Sequence, residues 1–304
     1  MDIHGKRVTV FGGSGFLGKY VVQRLVDKGA IVNIITRNPI KCRDLKAGAA
    51  VGQVSTYVLA SYSVKDIAKA IEGSDAVINL IGILFEKRKQ KFKKLQTELP
   101  TNIAKAASKV GVKSFVHVSA LGVDKSSKTS KYAKTKLAGE QAIKKYYPQA
   151  TILRPSVIFG EEDNFYNQFA KMAKFTIAMP LIGGGKTLFQ PVHVGDVAEA
   201  VIVAITNSAA QGNIYELGGP QQQNFEDIIK YILETANKNR ALVSLPFAIG
   251  KLIGWGSKLL PKPFITPDQV ELLKYNNVVS NSALKFADLG IKPKYINDIV
   301  PNYI

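Results

Sequence analysis

The sequence predicts an α/β protein: a Rossmann-type, doubly wound parallel sheet with a smaller C-terminal lobe. Three observations carry this. Val8–Phe11 is a short apolar run that enters glycines at 12, 15 and 18 and then an amphipathic helix. Strand and helix patterns alternate five times up to Val118. Ala76–Ile81 is apolar throughout except for Asn79, as expected of a parallel strand covered on both faces.

The elements follow in order. Leu17, Val21, Val22, Leu25 and Val26 recur at helical spacing and place one apolar face on the helix through Lys28. Ile31–Thr36 is the second strand and Gln53–Leu59 the third. Val64–Glu72 is a short helix stopped by Gly73. The fourth strand opens into Gly82; a helix at Thr101–Lys109 and a fifth strand at Ser114–Val118 come next. Thr151–Leu153 is strand six, and Glu161–Lys186 holds a helix and the turn Gly183-Gly184-Gly185-Lys186, which lacks the full phosphate-loop pattern. Gly195-Asp196 is expected to cap a helix at Val197–Thr206, with Asp196 a cap rather than a catalyst and His193 structural. Asn213–Leu217 returns to the sheet, and Phe225–Thr235 is an amphipathic helix. Residues 1–160 and 187–218 are thus expected to form the dinucleotide domain, and residues 161–186 and 219–304 the smaller lobe.

Composition narrows the function. The single cysteine, Cys42, excludes a disulfide framework, and three scattered histidines give no metal-ligand spacing. No apolar run is long enough to span a bilayer. The chain enters its first strand after a charged, polar hexapeptide, so no targeting segment is expected and the protein is placed in a cytoplasm, soluble or peripheral on the inner face of its membrane. The net charge of +18 calls for an acidic partner or a lysine-rich solvated surface. The basic run Glu86–Lys94 is expected to be a solvated loop or, at the C-terminal edge of the sheet, to face an acidic substrate or partner; with no aromatic interleaving beyond Phe92 and no nucleic-acid-binding motif, it points away from nucleic acid. Ala241–Pro263 is apolar, carries the only tryptophan, Trp255, and is flanked by Arg240, Lys251, Lys258 and Lys262. It is suited to an anionic membrane surface, a protein partner or a lid over a substrate cleft.

Site chemistry follows from the same positions. Gly12 permits the turn off the strand, Gly15 lets backbone approach a pyrophosphate, and Gly18 lets helix and strand pack closely, with the helix N-terminus facing the phosphates. Arg37 ends the second strand, where an acidic residue would accept from the ribose of NAD; arginine pairs instead with a 2′-phosphate, so NADP(H) is favoured over NAD(H). Tyr132 and Lys136 share a helix face at i, i+4, and an ammonium beside a phenol favours the phenolate. With Ser119 to polarise a carbonyl oxygen, the three are candidates for acid/base catalysis.

Gly12-x-x-Gly15-x-x-Gly18, Asn79-Leu-Ile-Gly82, Ser119 and Tyr132-x-x-x-Lys136 resemble the short-chain dehydrogenase/reductase superfamily. FVHVSALGVD, SKYAKTKLAGE, ILRPSVIFGEEDNF and QPVHVGDVAEAV are similar to its atypical, extended-type branch, the group that contains the NADPH-binding accessory subunit of respiratory complex I. The resemblance implies that Gly12, Ser14, Gly15, Phe16 and Gly18 cradle the pyrophosphate and that Arg37 meets the 2′-phosphate. It implies that Asn79 and Gly82 lie along the cofactor, that Tyr132 and Lys136 reach the nicotinamide ribose, and that Arg154 closes the pocket beyond strand six. It further implies complex I subunits as partners and a nucleotide held rather than turned over. The alternative is an active reductase, epimerase or dehydratase working on a small-molecule carbonyl or alcohol through Ser119, Tyr132 and Lys136. One departure is Ala60-Ser61, where many relatives place Gly-Asp against the adenine.

Overall fold

The computed structural model describes residues 1–258, 260 and 263–304. Seven strands form one parallel sheet: β1 (Arg7–Phe11), β2 (Ile31–Ile35), β3 (Val54–Tyr57), β4 (Ala76–Asn79), β5 (Ser114–Val118), β6 (Thr151–Pro155) and, after the insertion, β8 (Ile214–Leu217). Their order is β8-β6-β5-β4-β1-β2-β3. The chain runs outward from β1 through β2 to β3, then crosses back to β4 on its other side. That reversal leaves a crevice beyond the C-terminal ends of β1 and β4, where open α/β sheets bind ligands.

Each face of the sheet is covered. α1 (Phe16–Asp27) and α6 (Val194–Thr206) bury Val21, Val22, Leu25, Val197 and Val201 against Val8, Val10 and Val116. α2 (Val64–Ile71), α3 (Leu99–Val110) and α4 (Lys131–Tyr146) bury Ile67, Ile71, Leu99, Ile103 and Ile143 against Phe11, Val77 and Phe115. Alternate strand residues serve opposite faces, the period-two rule. A third cluster lies outside the sheet, where α5 (Tyr166–Phe175) and α7 (Phe225–Thr235) enclose Phe159, Tyr166, Phe225, Ile228 and Ile232. Phe286 and Leu289 join the α1/α6 layer, while Ile296 and Val300 further on return to this third cluster.

Several expectations are corrected. Asp196 does not cap α6, which begins at Val194; its carboxylate lies in the first turn and accepts from the Lys294 backbone N–H at 2.7 Å. The stretch before the glycine turn contains a strand, β7 (Ala178–Ile182), as well as a helix. Its partner is β9 (Ala241–Leu245), paired in parallel from Ala178↔Ala241 to Ile182↔Leu245. The predicted apolar segment is therefore half strand, half helix: α8 (Phe247–Ser257) follows, then α9 (Pro267–Leu272). Leu259 and Lys262 fall outside the described residues. Ahead of α3 the chain makes a π-helical turn, Lys93–Glu98, so the basic run enters an ordered element at its end.

α8 is inverted relative to an ordinary surface helix. Gly250, Gly254 and Ser257 form its buried face, and Ile249, Leu252 and Trp255 point outward. The glycines are needed there: a Cβ on Gly254 would stand 2.8 Å from the Pro267 nitrogen, and one on Gly250 2.9 Å from Ile182. Leu252 is 72% and Trp255 63% exposed, with the Lys258 ammonium 4.1 Å above the indole. Among the described residues no helix is long and apolar enough to cross a membrane.

Candidate functional site

Gly12 takes φ = +85°, a left-handed conformation that turns the chain sharply off β1. Gly15 N–H then donates to the Gly12 carbonyl at 3.0 Å. A Cβ on Gly18 would collide with the Gly12 carbonyl and the Gly13 backbone, so α1 seats directly on the turn only with glycine there. Gly15 stands at the N-cap and offers no side chain to the first amides of α1. That leaves a helix N-terminus open at the crevice, the arrangement that receives a phosphate.

The crevice is a cleft of about 870 Å³. Gly12, Ser14 and Gly15 form its floor, Thr36–Asn38 and Lys41 one wall, and Ala60–Tyr62 with Leu80–Ile83 the other. Ser14 Oγ and Thr36 Oγ1 are 3.1 Å apart at the foot of the first wall. Three cations reach the lining, Arg37, Lys41 and Lys94, and among the described residues it contains no carboxylate. Lys94 stands 5.7 Å over the Tyr62 ring. At the departure noted above, Ser61 Oγ donates to Asp66 and accepts from Ser63 N–H, so its hydroxyl organises the start of α2. The cradle, the open helix end and the cationic lining fit a dinucleotide carrying phosphates.

Ser119, Tyr132 and Lys136 are not among the residues that line this cleft. Lys136 is 3% exposed, and its ammonium donates to the Val118 carbonyl at 3.0 Å. It sits under the Gly82 loop, where a Cβ on Gly82 would come within 3.4 Å of Nζ. Burial pushes its pKa down to about 8, opposed only by Glu140. Ser119 Oγ is buried without a hydrogen-bond partner. The Tyr132 ring packs edge-on against Phe92, centroids 5.8 Å apart. Its phenol is pushed up, first by burial and then by the carboxylate of Asp268. Lys136 is thus tied to a backbone carbonyl and held below its ordinary range, and the charge acting on the phenol is the negative one of Asp268.

Asn79 and Arg154 do not line the cleft. Asn79 is fully buried; Oδ1 accepts from Ile81 N–H at 3.1 Å and Nδ2 pairs with His117 Nδ1 at 3.0 Å. It shapes the Leu80–Gly82 wall from beneath. His117 is held well below its ordinary range by burial and by Lys136. Arg154 lies in a buried ionic cluster: Nη2 meets Glu140 at 2.7 Å, and Nη1 meets Asp124 at 3.5 Å and Glu216 at 3.8 Å. It ties β6 to β8 and α4. Phe16 packs edge-on against Tyr20 and faces Gly160 rather than the cleft. His193 stands 3.7 Å from Asp196 at the start of α6.

Sequence reasoning missed Glu140 and Asp268, and placed Lys94 only as the end of a basic run. Glu140 carried a signal, since it follows Lys136 by four positions on one helix. Asp268 acts across 136 positions of chain.

Fold and cradle together define a Rossmann-type protein of the short-chain dehydrogenase/reductase class. The chain belongs to the NAD dependent epimerase/dehydratase family, whose model matches residues 8–218. It is 35% identical over 299 residues to NADH dehydrogenase [ubiquinone] 1 alpha subcomplex subunit 9, mitochondrial, of Mus musculus, covering 96% of this chain and 78% of that one. It is 31% identical to the NADH-ubiquinone oxidoreductase 40 kDa subunit, mitochondrial, of Neurospora crassa, covering all of this chain and 80% of that protein. Among solved structures, triphenylmethane reductase of Citrobacter sp. complexed with NADP(H) superposes with a TM-score of 0.77 at 20% identity, over 98% of this chain and 100% of that one.

Proposed function

We propose that this protein is an accessory or assembly subunit of a respiratory NADH:ubiquinone oxidoreductase, with NADP(H) held in the cleft as a structural ligand. The observation that carries this is the identity to such subunits across nearly the whole chain. Gly12, Ser14, Gly15 and Gly18 would hold the pyrophosphate, with Phe16 bracing the turn. Arg37 and Lys41, with Lys94 opposite, would meet a 2′-phosphate, which supports NADP(H) over NAD(H). Gly82 and Lys136 would meet the nicotinamide ribose. A nucleotide bound only by the folded chain stabilises it by about 2.7 kcal/mol at a hundredfold excess over Kd.

The resting state of the reactive set supports holding over turnover. The Lys136 ammonium is engaged by the Val118 carbonyl, and the carboxylate of Asp268 disfavours the phenolate of Tyr132. The cofactor would supply hydride chemistry if bound beside a substrate, and the buried, unpartnered Ser119 hydroxyl favours that second reading, an active reductase, epimerase or dehydratase. The outward apolar stripe of α8, with Lys258 at its C-terminal end, suits docking to a partner subunit or to the anionic inner face of a cytoplasmic membrane.

A native gel of gently solubilised membranes, stained for NADH dehydrogenase activity and probed for this chain, tests the proposal. Comigration with the large active complex, and NADPH released when the isolated complex is denatured, is the expected result. A small free species that turns over substrates with NADPH, and loses turnover in Tyr132→Phe, would overturn it.

A further inference from the structure

The N-terminus of α4 is closed by a residue from the other end of the chain. Asp268 Oδ1 accepts from Lys131 N–H at 2.7 Å, and Oδ2 from Tyr132 N–H at 3.1 Å and from the Ser130 hydroxyl at 2.9 Å. Ser130 Oγ in turn accepts from Ala133 N–H at 3.2 Å. The first three amides of the helix that carries Tyr132 and Lys136 are thus satisfied, two of them by one distant carboxylate.

Asp268 is free for this task because α9 is already capped. Thr266 accepts from Gln269 N–H, and the Gln269 side chain accepts from Thr266 N–H, a complete capping box. Asp268 therefore lies at the starts of two helices at once, and both dipoles favour its negative charge. Behind it, α8 is seated on the same turn: Gly254 is in close contact with Thr266 and Pro267, and Lys251 pairs with Glu271. Thr129 Oγ1 and Tyr275 Oη, 3.0 Å apart, flank the clamp.

We infer that Asp268 is a positioning residue: a cap lent by the C-terminal lobe that holds α4, and with it Tyr132 and Lys136, against the cleft, so that nucleotide retention depends on the lobe being seated. This rests on reading the cleft as a nucleotide site. Losing the cap lets the first turn of α4 fray. Tyr132 lies within that turn, and Lys136 one turn further on.

The test compares full-length wild type, Asp268→Ala, Asp268→Asn and a control, Asn224→Ala, which removes the side-chain cap of α7 inside the lobe. Two quantities are read: NADPH affinity by fluorescence titration, and amide exchange of the peptide spanning residues 130–136. Asp268→Ala should weaken NADPH about tenfold, the scale of one lost cap, and speed exchange by a similar factor. Asp268→Asn keeps an acceptor oxygen and should recover most of both. The control should lower the melting temperature and leave both unchanged. NADPH affinity within twofold of wild type in Asp268→Ala, or an equal loss in the control, overturns the inference. Wild type that binds no NADPH overturns the nucleotide reading instead, and exchange at 130–136 then still decides whether the clamp exists. Should Asp268→Ala not fold, exchange at 130–136 in Asp268→Asn that is no faster than in wild type and the control sinks the clamp.

Discussion

Lys136 is costly to bury, and replacing it should reveal by how much. In the unfolded chain its ammonium keeps its proton up to about pH 10.5, but in the folded protein only to about 8. Below pH 8 both states are charged, and the folded one bears the full burial penalty. Between the two values the unfolded chain holds the extra proton, so stability rises with pH across that window. The gap corresponds to roughly 3 kcal/mol. Lys136→Met removes the charge and keeps much of the volume. It also removes the hydrogen bond to the Val118 carbonyl, a loss of about 1 kcal/mol. The nucleotide-free variant should therefore be about 2 kcal/mol more stable than wild type at pH 7. The advantage should be gone by about pH 10 as the wild-type lysine sheds its proton. Urea unfolding of both proteins at the two pH values measures this, and the difference between them cancels the other titrating groups. A variant less stable at pH 7, or a gap that does not shrink with pH, refutes the reasoning. NADPH affinity should fall in the same variant, so stability and binding would move in opposite directions.

Other substitutions probe separate parts. Arg37→Asp should weaken NADPH at least tenfold, about 1.4 kcal/mol, and leave NADH nearly unchanged; titrations that fall equally for both would remove Arg37 from the 2′-phosphate. Arg154→Met leaves Glu140 and Glu216 buried without their cation and should cost about 3–5 kcal/mol in denaturant unfolding. Adding Glu140→Gln to it should recover part of that loss, whereas additive losses would mean the pair is not coupled. Trp255→Ser with Leu252→Ser should leave the melting temperature within a few degrees, because both side chains already face solvent, yet release the chain from membranes or complex in a flotation or native-gel assay. Unchanged partitioning would take α8 out of the docking surface.

Much of the nucleotide fold was legible because its determinants are local. Strand, glycine turn and helix lie within Val8–Lys28, and the packing of Gly18 on Gly12 involves residues six apart. Apolar runs located every strand of the sheet to within a few residues. The errors came where a side chain answers to distant chain. Arg154 looked like a pocket residue, but its three carboxylates come from three separate segments. Asp196 looked like a cap by position, but its partner is the Lys294 backbone. The Lys136–Tyr132 spacing gave no sign of Asp268, whose carboxylate also acts on the phenol from far along the chain. β9 was hidden because its pairing partner lies in a different apolar stretch, and α8 because its packing face is made of glycine rather than leucine.

The inverted face of α8 also bears on how the purified protein behaves. Two copies could cover their tryptophan stripes only by bringing together surfaces that both carry Lys258, on chains of net charge +18 each. At low ionic strength that repulsion keeps copies apart. At 1 M salt the screening length falls to about 3 Å and the apolar attraction is left unopposed. Self-association that grows with salt is then a property of a docking face without its proper occupant, and an oligomer seen under such conditions says little about the protein's working state.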